Sequence, residues 1–396
     1  MRQVVLGVFG LGLCAAMAST GNASSESVLY SFCSKQNCTD GSHPSAGLVS
    51  VGSLLYGTTR YGGASDAGTI FSIDPTNGQF KTVYAFTGGP DGSHPISHMI
   101  YVKKKLYGTA YEGGTNGRGT VFSVNPKTGS MQTLHIFAGG QDGQHPVGDL
   151  AYLYGRLYGT TETGGGNGNC PQSCGTIYVV ETNSGLEAVL VAFGGSQQHD
   201  GAYPQAGLTE LDGVFYGTTS RGGEADVGTA FSYDLEQATY TKFDDFLGAP
   251  DSSQPFAGLT TPGLYGTTYY GGSGDCGTAF YTTTGFGHFI LHSFACGFDS
   301  AHPQGPLLSI KKNLYGTATA GGGTGCGGNG CGTVFRLKAK NGAETILHAF
   351  GGAPDGSYPE TNLVEVNGVL YGITLNGGTS DGCGAAGCGT IFAVNP

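Results

Sequence analysis

The chain has 396 residues, of which 75 are glycine and none is tryptophan, and its 17 basic and 28 acidic residues give a net charge of -11. That charge repels phosphate backbones and anionic lipid and argues against nucleic-acid or membrane-surface binding. The 22 tyrosines and 21 phenylalanines argue against disorder, because they recur regularly and supply side chains to bury.

At the N-terminus, Arg2 precedes an apolar run from Val4 to Met17, and Ala16-Met17-Ala18 supplies a small-x-small cleavage signal. Residues 1–18 therefore read as a secretory signal peptide, and the mature chain begins near Ser19 in the periplasm or outside the cell. Cys14 lies in that run behind Leu13, which is too large for a lipoprotein signal. No later stretch is long and apolar enough to predict a transmembrane segment.

Ten cysteines remain after Cys14, an even number in an exported chain, which predicts up to five disulfides. Cys170 and Cys174, Cys326 and Cys331, and Cys383 and Cys388 lie a few residues apart, each pair in one glycine-rich loop. Cys276 has no such neighbour, and Cys296 lies across the hairpin that follows it. Cys33 and Cys38 sit together, although either could instead join Cys383 or Cys388 where the chain ends meet. Convergent histidines are lacking around these pairs, so they predict no metal site, and no cofactor is expected.

After a first strand at Val28 to Phe32 the chain falls into seven copies of one phrase. Its clearest form is Leu55-Tyr56-Gly57-Thr58-Thr59, then Gly62-Gly63, then Gly68-Thr69-Ile70-Phe71. The tyrosines Tyr56, Tyr107, Tyr158, Tyr216, Tyr265, Tyr315 and Tyr371 are spaced 51, 51, 58, 49, 50 and 56 residues apart. A period near fifty, rich in aromatic and β-branched runs and cut by glycine, predicts a repeat made of strands. The second copy shows the unit: strands at Met99 to Val102, Leu106 to Ala110, Thr120 to Val124 and Gln132 to Phe137, with a hairpin turn at Asn125 to Gly129. The expected fold is all-β, a seven-bladed β-propeller of four antiparallel strands per blade spanning residues 19–396. The chain begins with a fourth strand and ends at a third, Thr390 to Val394, so the N-terminal strand should complete the last blade and close the ring. A stacked solenoid suits such unpaired ends poorly.

This phrase, L-Y-G-T-T with a Gly-Gly loop and G-T-[IVA]-F, resembles the GloVer tandem repeat of secreted or surface-anchored bacterial proteins. The likeness covers almost the whole mature chain. It implies no catalytic residues.

Antiparallel order sends the loops between strands four and one, and between strands two and three, to one face. Length variation and unusual residues concentrate there, so a ligand is expected on that face. The loop before each first strand repeats Asp-x-x-[His/Tyr/Gln]-Pro, placing His43, His94, His145, Tyr203, Gln254, His302 and Tyr358 in equivalent positions. The Asp reads as a turn residue and the residue three on as packing against the next blade. The sharper alternative is a ring around the channel mouth that binds a metal or sugar hydroxyls. Where the copies disagree, before the first strand, His98, Asp149 and Asn362 replace small residues such as Gly47, Gly207 and Gly258. These three are candidates for a polar pocket in the channel. Arg60, Tyr61 and Arg221, in loops after second strands, suit carbohydrate or peptide binding. His135, His292 and His348 lie on fourth strands, far from the axis, and read as packing residues. Gly378-Thr379-Ser380-Asp381-Gly382 matches a hydrolase pattern but sits in a glycine-rich loop, without the elbow that the pattern needs.

Together these features predict a monomeric, exported binding module for an extracellular glycan or protein. A polysaccharide lyase or hydrolase with its site at the channel mouth, or a structural envelope protein, are the alternatives.

Overall fold

A computed structural model of the chain describes residues 26–166, 170–171, 173–283 and 287–396; the expected signal peptide lies outside them. The chain forms a seven-bladed β-propeller. Six blades are four-stranded antiparallel sheets, five of them in chain order, as in blade 2, where Ile100–Val102, Lys105–Ala110, Thr120–Val124 and Met131–Ile136 pair successively. In blade 7 the N-terminal strand Glu26–Ser31 pairs with Thr390–Val394 and closes the ring. Blade 5 departs from the expected four strands: its first strand is reduced to a bridge between Thr260 and Tyr265. Its hairpin is shorter than the others, and Pro262 has no N–H to give to a ladder.

The repeat phrase is the packing rule of the blade. Leu55 is fully buried, and Gly57 leaves room for Phe71, whose ring atom would lie 2.6 Å from a Cβ at that glycine. Thr59 and Thr69 join their hydroxyls at 2.8 Å across the second and third strands. Each third-strand aromatic meets the phenylalanine that ends the preceding blade's fourth strand. These pairs are Phe32–Phe71, Phe86–Phe122, Phe137–Tyr178, Phe193–Phe231, Phe246–Phe280, Phe294–Phe335 and Phe350–Phe392. All seven meet edge to face with centroids between 5.1 and 5.4 Å, so one contact seals every seam of the ring.

The glycine of G-T-[IVA]-F is required for a second reason. At Gly68, φ is +95° and a Cβ would stand 2.7 Å from Cδ of Pro95 in the next blade. Any side chain there would be strained and would also push the blades apart.

Five disulfides form, Cys33–Cys38, Cys170–Cys174, Cys276–Cys296, Cys326–Cys331 and Cys383–Cys388. Each of the two pairs at the closing blade thus stays within its own loop, yet all four sulfurs lie within 4.8 Å of one another. Among the described residues no helix is long and apolar enough to cross a membrane. The disulfides fit an oxidising, extracytoplasmic setting.

Candidate functional site

The loop ahead of each first strand is a joint between blades. In all seven copies the Asp carboxylate accepts a backbone N–H from the loop behind it, at 2.5 to 3.0 Å. The residue three positions on is left-handed in every copy, with φ between 52° and 57° at His43, His94, His145, Tyr203, Gln254, His302 and Tyr358. Its N–H reaches the preceding blade, as in His94 to Ala67 and Tyr203 to Cys174. Its carbonyl accepts from the following blade, as from Tyr111 to His94. Two fixed backbone bonds hold a conformation that these residues ordinarily avoid. The repeated motif is therefore structural at the level of the backbone.

The side chains of these residues do not converge. Tyr61 stands between His43 and His94, with centroids 5.7 and 5.0 Å away. Tyr111 stacks on His145 at 4.7 Å, and Tyr269 stacks on His302 at 4.5 Å. His94 Nδ1 lies 3.1 Å from Glu112 Oε2. The result is an alternating rim of imidazole and phenol rings, without a shared metal position. Arg60 lies against the Tyr61 ring at 5.4 Å. Arg221 is exposed at the start of a two-residue ribbon with Gly201 and Ala202. Tyr203 and Tyr358 hold their joint positions as described.

His98, Asp149 and Asn362 do come together. They line one axial cavity of about 120 Å³ with Gly47, Gly207, Gly258 and Pro306. A side chain at Gly47 would collide with the Asn362 amide. The His98 N–H donates to Asp149 Oδ1 at 3.1 Å, and its ring Nε2 lies 2.9 Å from the Leu48 carbonyl. A carbonyl can only accept, so Nε2 carries the proton and the neutral ring turns a lone pair on Nδ1 toward Asp149 Oδ2, 3.7 Å away. Burial raises the Asp149 carboxyl above its ordinary range, against the pull of His98.

Sequence reasoning missed Glu360, which lines the same cavity. Burial pushes its carboxyl up to about 7, opposed by the Arg60 charge. Gln205 and Phe256 also line the cavity from equivalent places, directly after the repeat proline. That position reads Ser45, Ile96, Val147, Gln205, Phe256, Gln304 and Glu360 around the ring, and its variability was the available signal. Glu162 ties two blades to the rim, accepting from Tyr111 Oη at 2.6 Å and Gln205 Nε2 at 3.1 Å.

A wider groove lies on the opposite face. Tyr154, Arg156, Glu210, Asp212, Glu236 and Pro262 line about 860 Å³ across blades 3 to 5. It opens beside the shortened hairpin of blade 5.

Fold and site together define a repeat β-propeller with a narrow polar throat. The chain belongs to the Gloeobacter/Verrucomicrobia repeat family, whose profile matches residues 7–198 and 167–392. None of the curated proteins matches it in sequence. Among solved structures it is similar to an oligogalacturonate lyase in complex with manganese, at 11% identity and a TM-score of 0.54, covering 94% of this chain and 90% of that one. It is also similar to a candidate 6-phosphogluconolactonase from Bacteroides uniformis, at 16% identity and a TM-score of 0.51, covering 77% of this chain and 84% of that one. At such identities the likeness concerns the fold alone.

Proposed function

We propose that this protein is an exported, monomeric binding module that holds an extended extracellular ligand, a glycan before a protein segment, across the loop-face mouth of its channel. Residues 1–18 act as the signal peptide and residues 19–396 as the propeller domain. The observation that carries this reading is the pairing of a narrow throat with a wide aromatic rim. A cavity of about 120 Å³ is smaller than the roughly 300 Å³ at which ligand pockets begin, so a ligand lies over it rather than inside it. Tyr61, Tyr111 and Tyr269 offer rings for stacking on sugars, and Arg60, Gln205, Glu360 and the His98–Asp149 pair offer hydrogen bonds.

A second reading, a polysaccharide lyase or hydrolase at the same mouth, is favoured by Glu360. A carboxyl raised to about 7 suits general acid–base work at neutral pH. The resemblance to an oligogalacturonate lyase lends this reading no residues.

The test is a polysaccharide binding screen on the oxidised protein, with a reducing-end and unsaturated-product assay on each hit. Binding without product is expected, weakened about tenfold by Glu360→Gln or by His98→Ala with Asp149→Ala. Tyr154→Ala, in the opposite groove, should leave binding unchanged. If Tyr154→Ala alone weakens binding, the site is on the wrong face; if product forms, the enzyme reading takes its place.

A further inference from the structure

The outer edge of the ring carries a second set of polar clusters, one at each seam between neighbouring blades. Each is built from three equivalent positions: a residue near the end of one fourth strand, the Asp of the joint that follows, and a residue at or near the start of the next fourth strand. At three seams a tyrosine hydroxyl satisfies the Asp: Tyr30 to Asp40 at 2.6 Å, Tyr84 to Asp91 at 3.0 Å and Tyr240 to Asp200 at 2.6 Å. At a fourth, His288 lies between two carboxylates, with Nδ1 2.6 Å from Asp244 and Nε2 2.9 Å from Asp251, so both ring nitrogens are used.

The other three seams are different. They hold one histidine and two carboxylates: His135 with Asp142 and Glu187, His292 with Asp299 and Glu344, and His348 with Asp355 and Glu26. In each, one nitrogen and two carboxylate oxygens lie within 4.8 Å of one another. The first and third also contain a buried carboxylate oxygen without a hydrogen-bond partner, Glu187 Oε1 and Glu26 Oε1. His292 Nε2 is 3.3 Å from Glu344 Oε2. Among the described residues, Lys and Arg form ion pairs only as Arg156–Glu181 and Lys242–Asp245, so one imidazole is the sole basic group that meets each pair of carboxylates, as His135 meets Asp142 at 3.0 Å and His348 meets Asp355 at 3.2 Å. Two carboxyl groups facing one imidazole form a compact set of one nitrogen and two oxygen donors, with room for a further positive charge.

We propose that these three seams are divalent-cation sites, each binding a Zn²⁺-class ion through one imidazole and two carboxylates and so clamping one blade to the next. The donor set suits Zn²⁺ better than Ca²⁺, because imidazole nitrogen is a poor ligand for a hard cation. Ligand atoms around Zn²⁺ sit about 2.0–2.2 Å from the ion, so a modest contraction of each cluster completes the geometry. Solvent supplies the remaining positions, since the His135, His292 and His348 side chains are each 17 to 20% exposed. At the closing seam an open hollow of about 490 Å³ lies beside Glu26 and Asp355 and gives an ion a way in.

The test is calorimetric titration of the metal-stripped, disulfide-intact protein with ZnCl₂, with ion content measured after dialysis. Three ions per chain are expected. Replacing Glu26, Glu187 and Glu344 together by Gln should weaken binding about tenfold or more with an unchanged far-ultraviolet spectrum. His135→Ala alone should lower the count from three to two, which keeps the test valid if the triple variant fails to fold. His288→Ala should leave it at three. Absence of saturable uptake, equal uptake by the triple variant, or a preference for Ca²⁺ over Zn²⁺ would each overturn the assignment.

Discussion

The residues that repeat and the residues that vary have separate tasks. Asp91 and His94, like their counterparts, work through backbone bonds that every blade needs, and this structural role was legible from repetition alone. The varied residues face the axis, where no packing rule constrains them. His98, Asp149 and Asn362 were recoverable because they interrupt a run of small residues, whereas Glu360 is marked only by the variability of the position after the repeat proline, and nothing in a strand pattern says that this loop residue points inward. Its titration is testable. Glu360 rises from 4.5 to about 7 on folding, so the folded state favours the protonated form. The stability it contributes is fully present below the unfolded value and is lost as pH climbs through about 7. The melting temperature should therefore fall between pH 5 and pH 8 more steeply in the wild type than in Glu360→Gln. Parallel melting curves for the two proteins would show that the carboxyl is not buried as described.

At the scale of the strand, the outer hairpins hold a feature that alternation conceals. In all seven blades the pairing of third and fourth strands slips by one residue, for example between Val121 and Phe122, leaving Leu134 as a bulge. A bulge turns the residues beyond it and sharpens the local twist. His135 is thereby carried to the seam. Its ring does pack on Phe137, at 4.9 Å, as expected of an outer-strand histidine, but it also meets Asp142 at 3.0 Å. The sequence period of two gave no sign of this polar role. The disulfides act on the same elements with unequal leverage. Cys276–Cys296 closes a separation of 20 residues and Cys326–Cys331 one of 5. Loop-closure entropy puts the loss on removal at about 3 kcal/mol for the longer link and about 2 kcal/mol for the shorter. Denaturant unfolding of the two paired Cys→Ser variants checks this, and a larger loss from the shorter link would contradict it.

Across the whole molecule, stability depends on closure. Glu26–Ser31 covers the open edge of Thr390–Val394, and Phe32 fills the seam against Phe71. A chain beginning after Phe32 would expose that edge and lose the seam contact together. Such a truncation should replace one cooperative calorimetric transition with a broad or multiple one and promote association on size exclusion. A single sharp transition and a monomer would mean that six complete seams suffice. Seven blades, their strand order and the closing strand were determined by the sequence itself, because each follows from a short-range pattern repeated until it must close; the sequence leaves the cysteine pairing at the closing blade open, and in the structure it is local. Tertiary structure alone decided which varied side chains meet: Glu360 with His98 and Asp149 around the throat, and a histidine with two carboxylates at three outer seams. Those groups come from different blades, and the repeat shows neither the bulge that aims the histidines nor the direction in which the variable residue after the proline points.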